Sequence, residues 1–402
     1  MKDAGAVVAV LLVAVAAGLA TFLVAPWSSN DVTDIGTRES QARALVGGSL
    51  PYRDMAFEYP PLAAPLIAAP ALAGAGVERY EIGFGVMTIV FGLIAAALAA
   101  GLASQTAGSP LVAALAFAAG PLLLGPITRT QFDIAAVTAL LAALLLALRR
   151  HPAAAGAALG VGVAIKVFPV VAAPVLLAWL AARLGRAAVL RAILGLGVTV
   201  GLVVGIALAL SPSGFEQAIE YQLDRPVQIE SAQASVLLAA GAIEGRPPVL
   251  EPSRASVAVI AGESPAVGIV FALLLISLVA LLSLAVARAA KGEAHGSDRA
   301  LVLAALTMVA GFALLGRVIS PQYAIWVLPL LAMALAWRHW ALAAAAACVL
   351  TFVEFPFHYV ALTEADPFAT WLVGLRNLAL ALAVALGLLG VAAINSRDRR
   401  PR

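Results

Sequence analysis

Residues 4–25 read AGAVVAVLLVAVAAGLATFLVA, a run of 22 positions without a charged side chain. At about 1.5 Å of rise per residue, roughly 20 such residues span the ~30 Å hydrocarbon core of a bilayer as an α-helix. Met1-Lys2-Asp3 precedes the run, and no A-x-A-like cleavage site comes before Pro26-Trp27, so a retained membrane helix is expected rather than a cleaved signal peptide. Working outward from it, comparable apolar runs bounded by charge, Gly or Pro recur at 82–103, 110–125, 133–148, 153–165, 168–182, 190–210, 266–287, 300–316, 323–337, 340–355 and 368–393. With residues 4–25 they make twelve, which puts both termini on one side.

The chain as a whole supports that reading. It is 63% hydrophobic and 12% charged, with a mean hydropathy of +1.01, which excludes a water-soluble globular domain. The expectation is an all-α polytopic membrane protein, a bundle of about 12 transmembrane helices forming one domain over residues 1–395, followed by a basic tail at 396–402. Two of the runs, 153–165 and 168–182, are short for a perpendicular crossing and read as a shallow pair around Lys166. Residues 62–73, interrupted by Pro65 and Pro70, are too short to cross and read as interfacial or re-entrant. Gly197, Gly201 and Gly205 form small-xxx-small steps expected to serve close helix packing. Cys348 is the only cysteine, so no disulfide within the chain and no cysteine metal site is possible.

Charge placement orients the bundle. With the N-terminus inside, the inner loops and tail hold 14 of the 25 basic residues but only four acids, Asp3, Glu293, Asp298 and Asp398. That is the positive-inside asymmetry. Inner loops such as 104–109 and 149–152 are short, whereas the long segments 26–81, 211–265 and 356–367 face out and carry most of the aromatic, amide and acidic residues outside the spans. The expected location is the plasma membrane, with chemistry on the outward side. No nucleotide-cradling glycine loop and no nucleic-acid-binding pattern is present.

The polar residues of interest collect in those outer segments. The first outer loop holds Asp31, Asp34, Arg38, Arg53, Asp54, Glu58 and Tyr59. Asp34 sits where an N-cap would open a helix ended by Gly47 or Gly48, and a carboxylate just beyond a membrane helix is also where a general base would meet an acceptor hydroxyl. Lys166 lies between two apolar runs, where a cation is costly and is paired or functional. Arg129, Arg225 and Arg317 stand at outer helix ends and can grip phosphate oxygens in a fork, with Lys166 adding a point charge. Salt bridges to Asp133, Asp224 or Glu230 are the alternative for each. Gln131, Gln228 and Gln322 can hydrogen-bond sugar hydroxyls, Tyr323 stands beside Gln322, and His358 is an outer residue able to titrate or touch substrate. Asp31 and Asp34 provide no His/Asp cluster with metal-ligand spacing, so no metal and no cofactor is expected.

Five segments taken in order resemble the GT-C superfamily and, within it, glycosyltransferase family 87, the actinobacterial mannosyltransferases that use polyprenyl-phosphate mannose. They are the Asp31/Asp34 helix with the GGSLPYRD turn (47–54) and EYPPL run (58–62), GPITRTQFD (125–133), AIKVFP (164–169), YQLDRPVQIES (221–231) and RVISPQYAIW (317–326). The resemblance implies an inverting, metal-independent hexosyltransferase that moves a sugar, mannose in the family, from a polyprenyl-phosphate donor to a cell-envelope glycolipid or glycan acceptor in the membrane. It points to Asp34 as base, with Asp31 next. Related loops often carry an aromatic four residues after that Asp, where Arg38 stands here, which bears on acceptor identity. A secondary transporter or lipid-linked-sugar flippase is the alternative reading of twelve helices, against which stand the bunching of cations toward one face and the lack of related halves. Acceptor, linkage and oligomeric state are not legible.

Overall fold

A computed structural model describes residues 4–29, 32–246, 249–253, 256–260, 265–338 and 341–397, side chains of 395–397 excepted, and each of the twelve apolar segments is helical in it. Among the described residues six helices are long and apolar enough to cross a membrane: Ala4–Leu23, Val77–Gln105, Arg186–Leu210, Pro265–Ala289, Ala294–Leu315 and Pro367–Ile394. The other six segments are shorter. Pro110–Ala118 is capped by the Ser109 hydroxyl, which accepts from the Val112 amide, and the chain continues through Gly120–Leu124 to a left-handed Gly125. Asp133–Leu148, Pro152–Ile165, Phe168–Leu184, Pro321–Ala336 and Leu342–Glu354 complete the set. The break between the third and second of these from the left end of that series is made by Lys166 itself, whose backbone is extended at φ −155° before Pro169.

Burial sorts the helices into a centre and a rim. Asp133–Leu148, Ala294–Leu315 and Ala324–Ala336 are buried over most of their length, while Arg186–Leu210 and Pro265–Ala289 expose long rows of Leu, Ile and Val, as a lipid-facing surface requires. The close crossing that glycines permit does occur, but not at the expected positions. A Cβ at Gly156 would collide with the Ala192 carbonyl and one at Gly195 with the Ala153 carbonyl, so helices Pro152–Ile165 and Arg186–Leu210 meet backbone to backbone. Gly197, Gly201 and Gly205 have no atom within 4 Å of where a Cβ would stand. They lie on the opposite face, because a small residue read in one dimension does not say which side of its helix is covered.

The connections fall into two groups. At one end the turns are short and tie to each other: Trp337 Nε1 donates to Thr106 Oγ1 at 3.0 Å, Trp179 Nε1 to Ser297 Oγ at 2.9 Å, and Arg183 Nη1 to the carbonyls of Ala290 and Gly292 at 3.3 Å. At the other end the long segments interlock. The Leu62 amide donates to the Ala164 carbonyl at 2.9 Å, Gln222 Nε2 to the Glu58 carbonyl at 3.1 Å, and the Gln228 amide to the Arg317 carbonyl at 3.0 Å.

That second end also holds the paired strands among the described residues. Leu250–Ser253 and Ser256–Val259 pair as an antiparallel hairpin, extended by the Ile229 amide bonding the Val257 carbonyl and the Val259 amide bonding the Val227 carbonyl. Val227, Ile229, Ala234, Val259, Leu362, Ala369 and Val373 form a small separate core beneath it. Four-residue strands in a Pro- and Ser-rich loop are too short to show a period of two. Residues 62–73 fold as Ala63–Ala68 and Ala69–Ala73, and Tyr80 Oη pins them by donating to the Ile67 carbonyl at 2.9 Å.

Candidate active site

Asp34 precedes helix Ile35–Val46 at the N-cap, yet its carboxylate makes no capping hydrogen bond. It lies 3.6 Å from the Arg38 guanidinium one turn on, and its side chain is 62% exposed against 2% for Arg38. A capped Asp would spend its oxygens on backbone amides; this one keeps them available. Gly47 ends the helix and Gly48 follows in the left-handed region, as the sequence suggests. Asp31 lies outside the described residues.

Arg38 is the buried end of that pair. Nη1 donates to the Thr130 carbonyl and Nη2 to Gln131 Oε1 at 2.6 Å, while the guanidinium sits over the rings of Phe84 and Phe132 at 5.8 and 5.5 Å. Arg38 thereby joins the first outer loop to the Gln131 turn. The Tyr59 phenol lies between Arg38 and the Glu58 carboxylate, and burial raises it above its ordinary value. Tyr59 itself is fixed by edge contacts to Phe57 and Phe132 and by Tyr52 Oη, which donates to its carbonyl at 2.6 Å.

Behind this layer lies the Lys166 ion pair. Lys166 Nζ donates to both Asp133 oxygens at 2.7 Å, and Trp326 Nε1 donates to Asp133 Oδ1 at 2.7 Å. Asp133 is fully buried and the Lys166 side chain 14% exposed, so a desolvated carboxylate is held by one cation and one indole. Trp326 is clamped between Phe168 and Tyr323, with ring centroids 4.0 and 3.7 Å away. Glu58 lies within electrostatic reach of Lys166.

Tyr323 leads to the opposite wall. The charges of Arg225, Asp133 and Glu230 all reach its hydroxyl, and those of Glu230, Glu354, Asp34 and Arg225 reach Tyr359. Arg225 is half-buried and, among the described residues, makes no ion pair and no side-chain hydrogen bond. The same holds for the exposed Arg317, whose contribution is its carbonyl. The charges of Asp34 and Arg225, an acidic and a basic side chain from different outer loops, thus both reach Tyr359.

The remaining candidates sit elsewhere or are otherwise engaged. Arg129 bonds Glu81 at 2.8 Å and the carbonyls of Thr21, Trp27 and Ser28, which anchors the end of helix Ala4–Leu23; the pairing to Asp133 considered from sequence goes to Lys166 instead. Arg53 and Asp54 bond one another at 2.9 and 3.0 Å on an exposed turn, and Arg53 holds the Asp54 carboxyl below the usual carboxylate range. Gln228 is buried with Nε2 donating to Glu230 Oε2. Gln322 is half-buried beside Tyr323, and His358 stacks edge-on against Phe368 at 5.0 Å. Two small clefts share only Arg129 and Tyr323 respectively with these residues. Among the described residues no group of three or more His, Cys, Asp or Glu is placed to hold a metal ion.

Sequence reasoning missed Trp326 as an Asp133 partner, Tyr359, and the buried cluster of Glu230, Glu354, Arg376 and Asn377. Arg376 carried a usable signal: an arginine inside an apolar span is rare unless buried and partnered.

The sequence model of one family, glycosyltransferase family 87, matches residues 57–321. The matched stretch takes in Glu58, Tyr59, Arg129, Gln131, Lys166, Arg225, Gln228 and Arg317, and begins after Asp34. No curated protein matches the chain.

Proposed function

Because this chain belongs to glycosyltransferase family 87, and is therefore a membrane glycosyltransferase acting on a sugar donor and an acceptor, we propose that it moves a sugar, mannose by resemblance, from polyprenyl phosphate to an envelope glycolipid or glycan. The observation that carries the reading is an uncapped, exposed Asp34 and an Arg225 that makes no ion pair among the described residues, the charges of both reaching Tyr359.

In this reading the site faces away from the cytoplasm, in the plasma membrane, with both termini inside. An acceptor hydroxyl attacks the anomeric carbon from the Asp34 side, and Asp34 takes its proton. The bond from the anomeric carbon to the phosphate oxygen breaks, the electron pair leaves on that oxygen, and configuration inverts. Arg225 is the residue we assign to the departing phosphate, because its fork is not spent on another group among the described residues. Lys166, already neutralised by Asp133, adds a directed N–H rather than a net charge. Gln131 and Gln322 serve sugar hydroxyls, with Tyr323, Glu58 and Tyr59 shaping the floor. Arg317 acts at the mouth. Arg38 tethers Asp34 so that the carboxylate keeps its direction. Asp31 stays the second choice as base.

The test is transfer by the purified chain, in nanodiscs, from polyprenyl phosphates carrying mannose, glucose or arabinose to an envelope lipid extract. Product one sugar longer from the mannose donor alone supports the reading. Transfer from another of the three keeps the reaction and changes the sugar, and movement of donor across the bilayer without a product would favour a flippase.

A further inference from the structure

Glu230 and Glu354 are both fully buried, and Arg376, at 3% exposure, is the cation they share. Arg376 Nη1 donates to Glu354 Oε2 at 3.3 Å, while Nη2 reaches the Glu230 carbonyl and Asn377 Oδ1. Gln228 Nε2 donates to Glu230 Oε2. After these bonds three buried acceptor oxygens have no donor: Glu230 Oε1, Glu354 Oε1 and Gln228 Oε1.

Two separate counts then give the same answer. By charge, two fully buried carboxylates face one buried guanidinium, Arg376, while the half-buried Arg225 acts on Glu230 through its charge alone, and an unpaired buried carboxylate is among the most expensive groups a protein can hold. By hydrogen bonds, three acceptors lack one another's complement. A single proton on Glu230 Oε1 leaves one buried carboxylate against Arg376 and turns one orphaned acceptor into a donor. We propose that Glu230 is held as the neutral carboxylic acid, and that this acid is a positioning residue for the segment that presents Arg225.

The groups facing Glu230 from every packed element are consistent with that state. They are Glu354 from helix Leu342–Glu354, Arg376 and Asn377 from helix Pro367–Arg397, Tyr323 and Tyr359 from the two turns, and Arg225 and Gln228 from its own segment. Burial first, and the Glu354 charge second, push the Glu230 carboxyl well above its ordinary value of about 4.5, against the pull of Arg376. The Glu230 carbonyl is the other half of the clasp, since Asn377 Nδ2 donates to it at 3.2 Å and to Ser235 Oγ at 2.9 Å. Losing the proton leaves a second bare carboxylate beside Glu354 and strains the segment five residues from Arg225.

A carboxyl whose folded-state pKa is raised contributes stability that is complete below the unfolded value and is lost as pH rises through the folded one. In nanodiscs the wild type should therefore lose up to tenfold in its folding equilibrium per pH unit above about 4.5 until the acid ionises. Glu230→Gln, which fixes the neutral shape, should remove that slope, and the infrared carbonyl band of a neutral carboxylic acid should be present in the wild type and lost in the variant. The consequence for Arg225 rests on the donor reading above; the protonation is read without substrate. With polyprenyl-phosphate mannose, Glu230→Gln should keep kcat and donor KM within about threefold and remove the alkaline rise in KM, and Glu230→Ala should raise KM at every pH. Absence of the band in wild type at neutral pH, its loss in Glu354→Gln but not in Glu230→Gln, or stability that follows sodium or potassium concentration would each overturn the assignment. If the band behaves as stated and no donor is used, the protonation stands and the transferase reading fails.

Discussion

The Lys166 layer and the Glu230 cluster handle buried charge in different ways. On the first, the buried charges have named partners: Lys166 with Asp133, and Arg38 with the Thr130 carbonyl, Gln131 and the outer Asp34. On the second, two buried glutamates share Arg376, and Arg225, whose charge reaches Glu230, makes no ion pair among the described residues. A fold that pairs its charges one to one leaves nothing over for a ligand. An exposed carboxylate on one, Asp34, and a guanidinium outside any ion pair among the described residues on the other, Arg225, are what a reaction that moves a proton and releases a phosphate requires.

Breaking the matched wall should have the largest effect. Lys166→Met strands the Asp133 carboxylate with only the Trp326 indole, and should cost about 3–5 kcal/mol in denaturant unfolding. Lys166→Met combined with Asp133→Asn should recover most of that, because no buried charge remains; equal loss in single and double variants would show that the pair is not the source of the stability.

The unmatched wall should respond in binding instead. Arg225→Ala should raise donor KM by about 10- to 100-fold, in line with the loss of a charge-assisted hydrogen bond of about 1.5–3 kcal/mol, with the melting temperature unchanged. Arg317→Ala, at an exposed position, should do less. A melting temperature that drops while KM holds would make Arg225 a structural residue.

The smallest effect is expected at the exposed turn. Arg53→Ala removes a surface pair, and both transfer and stability at neutral pH should stay within error of wild type. Asp54, whose carboxyl Arg53 holds low, contributes above its unfolded pKa and loses that contribution as pH falls through the folded value, so any difference between Arg53→Ala and wild type should vanish at strongly acidic pH.

The helices were legible in the sequence because hydropathy is summed over about 20 residues and survives local error. Pairing was not. Lys166 was marked as costly where it stands, but its partner 33 positions away depends on how two helices turn toward each other. The pairing of residues 250–253 with 256–259 is too short to read in the sequence, and the close packing expected at Gly197, Gly201 and Gly205 occurs at Gly156 and Gly195. Asp34 was read as either a cap or a base, and only the dihedral geometry at the helix start separates an occupied carboxylate from a free one.

The most direct measurement is single-turnover transfer by Asp34→Asn beside the wild type, with melting temperature and donor binding recorded on the same nanodisc samples. The account predicts transfer reduced by about 10²–10⁴-fold with melting and donor binding unchanged. Wild-type rates in Asp34→Asn would contradict it.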